Sequence, residues 1–398
     1  MNVLFVCHRV PFPPKRGGKI RPFNIIRHLH DQGHRVTVAS LARSAAERDE
    51  AQGLAQHCAQ MLVEVIPGRA ALTQMIARLP SSAPSSFGYF WSRRLARRIA
   101  TAAAATPFDL VFVHCSSVAP YVERLAAPLK IIDYGDMDSQ KWREYSQHRA
   151  FPLSAGYWLE AVKLERRERL IAEHFDLCTC TTRAELESLR TLGVTRPSDW
   201  FPNGVDAEFF APDATSGGAP YDPQLIAFVG RMDYYPNQQG VIGFCRDVLP
   251  LLRAKRPGVR FAIVGADPPA HIRALGDLPG VTVAGSVPDV RPHVRRAALT
   301  VAPLSIARGT QNKILESMAM GVPVVCSPEA SGGVDAVAGE HLRVAAELAE
   351  WVAAIDGLLG DPAVRQRLSA AGRERVLSHH SWAASMRRLD GIVEKAQK

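Results

Sequence analysis

Short runs of aliphatic and β-branched residues alternate with helix-patterned stretches, and the alternation occurs twice along the chain. Runs 3–7, 35–40, 61–66, 110–114, 129–133 and 177–181 are almost continuously apolar. A strand of that composition is covered on both faces, as parallel sheets require. Between them the spacing predicts helices over 20–32, 44–60, 91–105 and 153–175. Such alternation gives a doubly wound parallel α/β sheet. The pattern then restarts, with strands expected at 225–229, 260–264, 281–284, 299–303, 323–326 and 342–344 and helices at 238–255, 291–297 and 311–320. Helices over 348–359 and 363–377 and a last segment, 382–395, follow. The Pro-, Gly-, Ser- and Asp-rich stretch 208–224 reads as the linker. The expected domains are 1–207 and 208–378, with 379–398 set apart. In each sheet ligands bind at the carboxyl ends of the strands, so two such domains in tandem imply a cleft with one substrate on each side.

Composition narrows the function classes. Of 398 residues, 47% are hydrophobic and 22% charged, which excludes a disordered chain, a collagen and a coiled coil. The net charge of +9 points to an anionic partner. Nucleic acid is not expected, because the basic runs are not interleaved with stacking aromatics. The seven cysteines are odd in number, lack a C-x-x-C spacing and sit mostly inside apolar runs. Buried free thiols in a reducing cytosol are expected, hence a cytoplasmic location. Neither a signal peptide nor an apolar run of 18 residues is visible.

Five constellations carry chemistry. Pro11-Phe12-Pro13-Pro14-Lys15-Arg16-Gly17-Gly18 follows the first strand and opens a helix, with Lys15, Arg16 and Lys19 adding charge. It reads as an anion site at a helix N-terminus or as an ordinary strand-to-helix turn; without G-x-G-x-x-G it argues against a dinucleotide dehydrogenase. Phe228-Val229-Gly230-Arg231 ends a strand with an arginine that can fork onto a diphosphate or simply face solvent. Arg308-Gly309-Thr310-Gln311-Asn312-Lys313 enters an amphipathic helix that Gly321 caps. Gly309 and the next amides form a phosphate cradle, Arg308 and Lys313 neutralise charge, and Glu316, one turn on, can accept from ribose hydroxyls. The alternative there is an i,i+3 surface ion pair. Asp133-Tyr134-Gly135-Asp136-Met137-Asp138 puts three carboxylates after a strand, for acid–base work, hydroxyl binding or helix capping. No clustered histidine there supports a metal, and His114, at another strand end, is the weaker candidate beside it. Pro202-Asn203-Gly204-Val205-Asp206 marks a turn or hinge.

In this order the pieces resemble a family 4 retaining glycosyltransferase of the GT-B fold, two Rossmann-like domains facing across a cleft. The resemblance rests on Gly17-Gly18 with Arg21 and Asn24, Asn203-Gly204-Val205-Asp206, Phe228-Val229-Gly230-Arg231, and the block from Lys313 to Val325. More narrowly, Asp136-Met137-Asp138-Ser139-Gln140-Lys141-Trp142, Tyr235-Pro236-Asn237 and the 309–316 segment are similar to sugar transferases of the PEP-CTERM/exosortase system, found in bacterial exopolysaccharide loci.

The resemblance implies a nucleotide-diphosphate sugar bound by the C-terminal domain and an acceptor bound by the N-terminal one, with domain closure excluding water. It assigns Gly17, Gly18, Gly230, Arg231, Asn237, Val287, Arg308, Gly309, Thr310, Lys313 and Glu316 to the donor. Lys15, Arg16, Arg21, His114 and Asp136 fall to the acceptor, and Asp136, Arg231 and Lys313 to catalysis, with neither metal nor cofactor. The end of the chain is expected to return to the N-terminal domain, with Trp382 and Met386 packing there. Three departures stand out. Arg308 occupies the position of the glutamate eight residues before Glu316, Asn237 that of a lysine six residues after Arg231, and no histidine follows the strand leading into Asp133. Lys313 or Arg308 is left to supply the missing charge, and Asp136 to replace the histidine. They leave a nucleotide-sugar epimerase or a non-catalytic donor-binding protein as alternatives. Arg93, Arg94, Arg97 and Arg98, beside Phe90 and Trp91, suggest either contact with an inner membrane carrying a lipid-linked glycan acceptor or a solvated basic face.

Overall fold

The computed structural model describes residues 1–14, 17–212 and 221–396. Two compact units emerge: Met1–Phe201 with Met386–Lys398, and Pro202–Ser385. The first contains strands β1 (Asn2–Cys7), β2 (Arg35–Ala42), β3 (Gln60–Val65), β4 (Leu110–His114), β5 (Leu129–Gly135), β6 (Leu177–Cys180) and β7 (Ser198–Trp200). They lie in the order β3-β2-β1-β4-β5-β6-β7, every pair parallel. The second contains β8 (Asp222–Val229), β9 (Arg260–Val264), β10 (Val281–Gly285), β11 (Ala297–Ala302), β12 (Val324–Cys326) and β13 (Arg343–Val344), ordered β10-β9-β8-β11-β12-β13 and also parallel. Both are Rossmann-like sheets whose order reverses beside the first strand, between β1 and β4 and between β8 and β11.

The central strands are buried, as their composition demands. Phe5 of β1 and Phe112 of β4 stack with ring centroids 5.2 Å apart, and Phe244 meets Phe261 of β9 at 4.6 Å. Each such ring contributes about 1.5–3 kcal/mol by leaving water.

The structure departs from the sequence expectations where local chemistry intervenes. The helix expected over 44–60 is α-helical over Ala45–Glu50 and tightens to a 3-10 turn over Ala51–His57. Gly53 passes so close to Phe12 that a Cβ there would lie 2.2 Å from the ring. The helix expected over 238–255 contains a π turn, Phe244–Val248, ahead of Pro250, which lacks the amide needed to continue the α ladder. Strand β7 has the sequence Ser-Asp-Trp and no apolar run to announce it. The linker expected at 208–224 runs into β8 from Asp222, and 213–220 lie outside the described residues. Contacts part the units earlier, at Phe201/Pro202. Val205 explains this: its amide donates to His380 O at 2.7 Å, inside the second unit.

The C-terminal helix, Trp382–Ala396, begins in the second unit and ends in the first. Arg388 donates to Trp200 O at 2.7 Å and His28 Nε2 meets Asp390 at 2.8 Å. Trp382 belongs to the second unit, where it covers Gly204 so closely that a Cβ there would lie 2.6 Å from the indole, and Met386 belongs to the first.

Candidate functional site

In the second unit, the chain leaves β8 at the point where the strand order reverses and enters Gly230-Arg231. Gly230 is required by space: a Cβ there would lie 2.7 Å from Asn237 Nδ2 and 3.1 Å from Lys313 Nζ. Its carbonyl also runs past Gly265, where a Cβ would lie 1.8 Å from it. Asn237, buried at the start of the helix Tyr235–Gly243, donates through Nδ2 to Arg231 O at 2.8 Å and accepts from Lys313 Nζ at 2.6 Å. The Lys313 ammonium also sits 4.6 Å over the Phe228 ring. Gly230, Asn237 and Lys313, expected as donor residues, are therefore one cluster.

Lys313 and Glu316 lie one turn apart on the helix Asn312–Ala319, both half-buried. Burial pushes the Lys313 ammonium down to about 7, with Glu316 opposing the fall. Burial likewise raises the Glu316 carboxyl to about 7, with Lys313 opposing. Both groups are held at the edge of their charged states, where a ligand of the right charge decides the balance.

The approach to that helix is tightly turned and incompletely bonded. Gly309 takes φ +64°, and Gly333 packs so close that a Cβ there would lie 2.1 Å from Gly309 O. Arg308 is half-buried and its carbonyl accepts from Gln311 Nε2 at 3.1 Å. Gln311, at the N-cap, gives the helix no side-chain cap, and the buried Thr310 Oγ1 and Asn312 Oδ1 find no partner among the described residues. Free amides and idle polar atoms at one helix start suit a phosphate or a hydroxyl group.

Arg231 does not match its expected role as it stands. Its guanidinium is exposed and forked on Asp233, 3.0 and 2.7 Å away, with a further contact of 2.7 Å to Asp267. Its hydrogen bond to Asp233 raises its pKa. A diphosphate must displace those carboxylates to use it. Val287 lies half-buried in the loop after β10, and neighbouring Ser286 Oγ accepts from the Asp267 amide at 3.4 Å.

In the first unit, Asp133 of β5 stands beside His114 of β4 in register. Asp133 is fully buried and takes His114 Nδ1 at 2.8 Å, Thr179 Oγ1 at 3.0 Å and a bidentate fork from Arg21 with both contacts at 2.8 Å. Burial would raise its pKa, but the Arg21 and His114 contacts overcome that and hold it well below the usual carboxylate range. An ionised Asp133 only accepts, so it orients the His114 ring by taking its Nδ1–H. Arg21 is thus not an acceptor-binding residue: its side chain is buried, donates to Phe201 O at 3.0 Å and stacks 3.6 Å from the Phe201 ring.

His114, on the neighbouring strand, is buried against Asp133, while Asp136, the residue expected to replace a histidine, is exposed and accepts from Thr181 Oγ1 at 2.8 Å. The three carboxylates of 133–138 therefore separate: one buried in the ion pair, one at the surface, and Asp138 opening the helix Asp138–Gln147, its pKa raised by burial. His8, just after β1, was not anticipated. Its ring lies 5.9 Å from that of His114, its Nδ1 has no partner among the described residues, and burial drives its pKa well down. Its signal was its place in Val6-Cys7-His8, at a strand end beside the reversal of strand order. Ligand atoms of His8, His114 and Cys115 lie within 4.8 Å of one another, so the histidine cluster absent from the 133–138 run exists between strands. Burial keeps the Cys115 thiol protonated, with a pKa well above its usual value, which weighs against a metal ligand.

Gly17 and Gly18 open the helix Gly17–Asp31, and Gly18 faces open space. Lys19 is spent on Glu47, 3.2 Å away. Lys15 and Arg16 lie outside the described residues.

Two family models match the chain: Glycosyltransferase Family 4 over residues 16–209 and Glycosyl transferases group 1 over 223–361. No curated relative matches in sequence. Among solved structures, sucrose-phosphate synthase from Thermosynechococcus elongatus aligns over 99% of both chains with a TM-score of 0.72 and 18% identity. HepE from Anabaena, solved in complex with UDP, aligns over 99% of this chain and 100% of its own with a TM-score of 0.69 and 15% identity. A glycosyltransferase from Rickettsia africae aligns over 100% of this chain and 99% of its own, with a TM-score of 0.69 and 12% identity. Two parallel Rossmann-like units of GT-B fold, the first matched by the Glycosyltransferase Family 4 model and the second by the group 1 model, make this chain a glycosyltransferase.

Proposed function

We propose that the enzyme transfers a sugar from a nucleotide-diphosphate donor to a glycan acceptor with retention of anomeric configuration, using neither metal nor cofactor. The bond between the anomeric carbon and the diphosphate oxygen breaks, and the acceptor hydroxyl oxygen bonds that carbon on the same face. The hydroxyl proton passes to the departing diphosphate. The observation that carries the reading is the Gly230–Asn237–Lys313 cluster with Glu316 one turn away. Lys313 supplies charge to the diphosphate, aided by the uncapped helix start after Thr310. Glu316 receives the ribose hydroxyls. Arg231 joins when the diphosphate takes it from Asp233 and Asp267, and Arg308 stands where the transferred sugar is handled. The loop around Val287 is assigned to the base. HepE was solved with UDP, which supports a uridine nucleotide as the first to try.

On the acceptor side, His114, oriented by Asp133, is better supported than the exposed Asp136. The narrower resemblance supports a role in bacterial exopolysaccharide synthesis with a lipid-linked acceptor at the inner membrane. Among the described residues no helix is long and apolar enough to cross a membrane, so contact with one is peripheral in this reading.

The test is calorimetry with a panel of nucleotide sugars, followed by NMR of the product anomer. One nucleotide sugar should bind, Lys313→Ala and Glu316→Gln should each weaken it at least tenfold, and the product should keep the donor's configuration. Unchanged affinity in both variants would refute the site. An altered sugar formed without acceptor would replace transfer by epimerisation.

A further inference from the structure

Nine of the eighteen large apolar side chains left exposed among the described residues belong to two short stretches of the first unit. One is the helix Gly68–Ala77 with the turn after it, where Leu72, Ile76 and Leu79 recur at helical spacing and form one stripe. The other is the helix Leu153–Ala172. Its buried face carries Ala161, Leu164, Glu168 and Ile171, while Trp158, Leu159 and Val162 project from the opposite side, where a surface helix is normally polar. Phe151, just before it, is 83% exposed.

The two stretches lie side by side. The Glu160 carboxylate accepts from the amides of Ser85 at 3.0 Å and Ser86 at 2.8 Å, and Lys163 Nζ donates to Leu79 O at 2.8 Å. Leu79 is thereby brought beside the helix turn that carries Val162, which joins the two apolar stretches.

Charge gives that face its occupant. From Glu64 to Asp109 the chain contains no intervening acidic residue and six arginines: Arg69, Arg78, Arg93, Arg94, Arg97 and Arg98. Exposed Arg166 and Arg169 follow the apolar turns of the second helix. Glu165, half-buried on the second helix, is taken up by Arg143 at 2.8 Å, so the surround is predominantly basic, and apolar side chains with such a surround match an anionic lipid interface. Two copies meeting through this face would oppose arginine to arginine. The Arg93–Ala105 helix, basic though it is, has nothing to insert: Trp91 stacks on Tyr121 at 4.8 Å, and Arg98 is held by Glu64 at 2.7 Å.

We propose that the Leu72–Ile76–Leu79 stripe and the Trp158–Leu159–Val162 face together dock the protein on an anionic lipid bilayer. The proposal rests on the transferase reading for its purpose, the meeting with a lipid-linked acceptor, and on this surface for its evidence.

The test is flotation of the full chain with vesicles of phosphatidylglycerol and phosphatidylethanolamine, against vesicles of phosphatidylcholine alone. The protein should float with the anionic vesicles only, and Ile76→Glu with Trp158→Glu should cut the bound fraction at least tenfold. Brominated lipid should quench tryptophan emission in the parent and far less in Trp158→Phe. Melting temperatures of all variants establish folding. Flotation that the double variant leaves intact overturns the assignment, as does a dimer that the same variant dissociates. Nucleotide-sugar binding is measured on each variant and should not change; its absence in the parent would sink the transferase reading and leave the vesicle result standing.

Discussion

Lys313 Nζ donates to Asn237 Oδ1 across 2.6 Å, so a lysine from the helix Asn312–Ala319 delivers its charge to the position where the family pattern has a lysine six residues after Arg231. The charge is carried by a different element, and Asn237 remains as its acceptor and as the donor that fixes Arg231 O.

This exchange is testable as a pair. Lys313→Ala should weaken donor binding at least tenfold, about 1.4 kcal/mol. Asn237→Lys alone should lower the melting temperature, since it sets two ammonium groups in the space of one. The double variant, with the lysine back on the helix Tyr235–Gly243, should recover most of the affinity. Calorimetry checks the first and third outcomes, and calorimetric melting the second. Failure of the double variant to exceed Lys313→Ala would separate Lys313 from the diphosphate.

The pH dependence of donor affinity follows from the same helix. With Lys313 lowered to about 7 and Glu316 raised to about 7, the pair titrates around neutrality. Above that range Lys313 loses the charge a diphosphate needs; below it Glu316 loses the carboxylate a ribose needs. Affinity should therefore peak near neutral pH. Lys313→Arg should flatten the alkaline side, because a guanidinium stays charged, and Glu316→Gln the acid side. Affinity measured across the pH range in a constant ionic strength buffer decides this.

In the first unit, His114 and Asp133 should separate by variant. His114→Asn should cut turnover while leaving donor affinity in place, because only the acceptor side is touched. Asp133→Asn should act on the fold instead. It strands the buried Arg21 guanidinium, and loss of one partner of a buried pair costs about 3–5 kcal/mol. Denaturant melts against steady-state kinetics distinguish the two.

How far the sequence carried differs by element. Apolar runs placed every strand of both sheets except β7, since burial on both faces writes itself into composition; Ser198–Trp200 is held by pairing with β6 and carries no such mark. Lys313 and Gly230 are each candidates for a phosphate site from the sequence alone, but their meeting through Asn237 is a tertiary fact, 76 residues apart in sequence for Asn237 and Lys313. Arg21 was assigned to the acceptor because its partner, Asp133, lies 112 residues away in sequence. His8 carried only its strand-end position, and its nearness to His114 comes from the pairing of β1 with β4.

Glu168 offers a test of the buried polar core apart from the site. It is fully buried on the helix Leu153–Ala172, takes the Ser139 amide at 3.3 Å through Oε1, and its Oε2 has no partner among the described residues. Burial raises its pKa from 4.5 to about 8, so the folded protein keeps it protonated where the unfolded chain ionises it. A folded pKa above the unfolded one means that the contribution is fully present below pH 4.5 and is lost as pH rises through about 8. Glu168→Gln, a neutral isostere, removes that loss. Its stability relative to the parent should be nearly constant below pH 4.5, grow by about 1.4 kcal/mol per pH unit at most between the two pKa values, and level off above pH 8. Urea unfolding of both proteins at intervals from pH 4 to 9 measures the difference, and a difference that stays flat across the range would mean that Glu168 ionises in the fold.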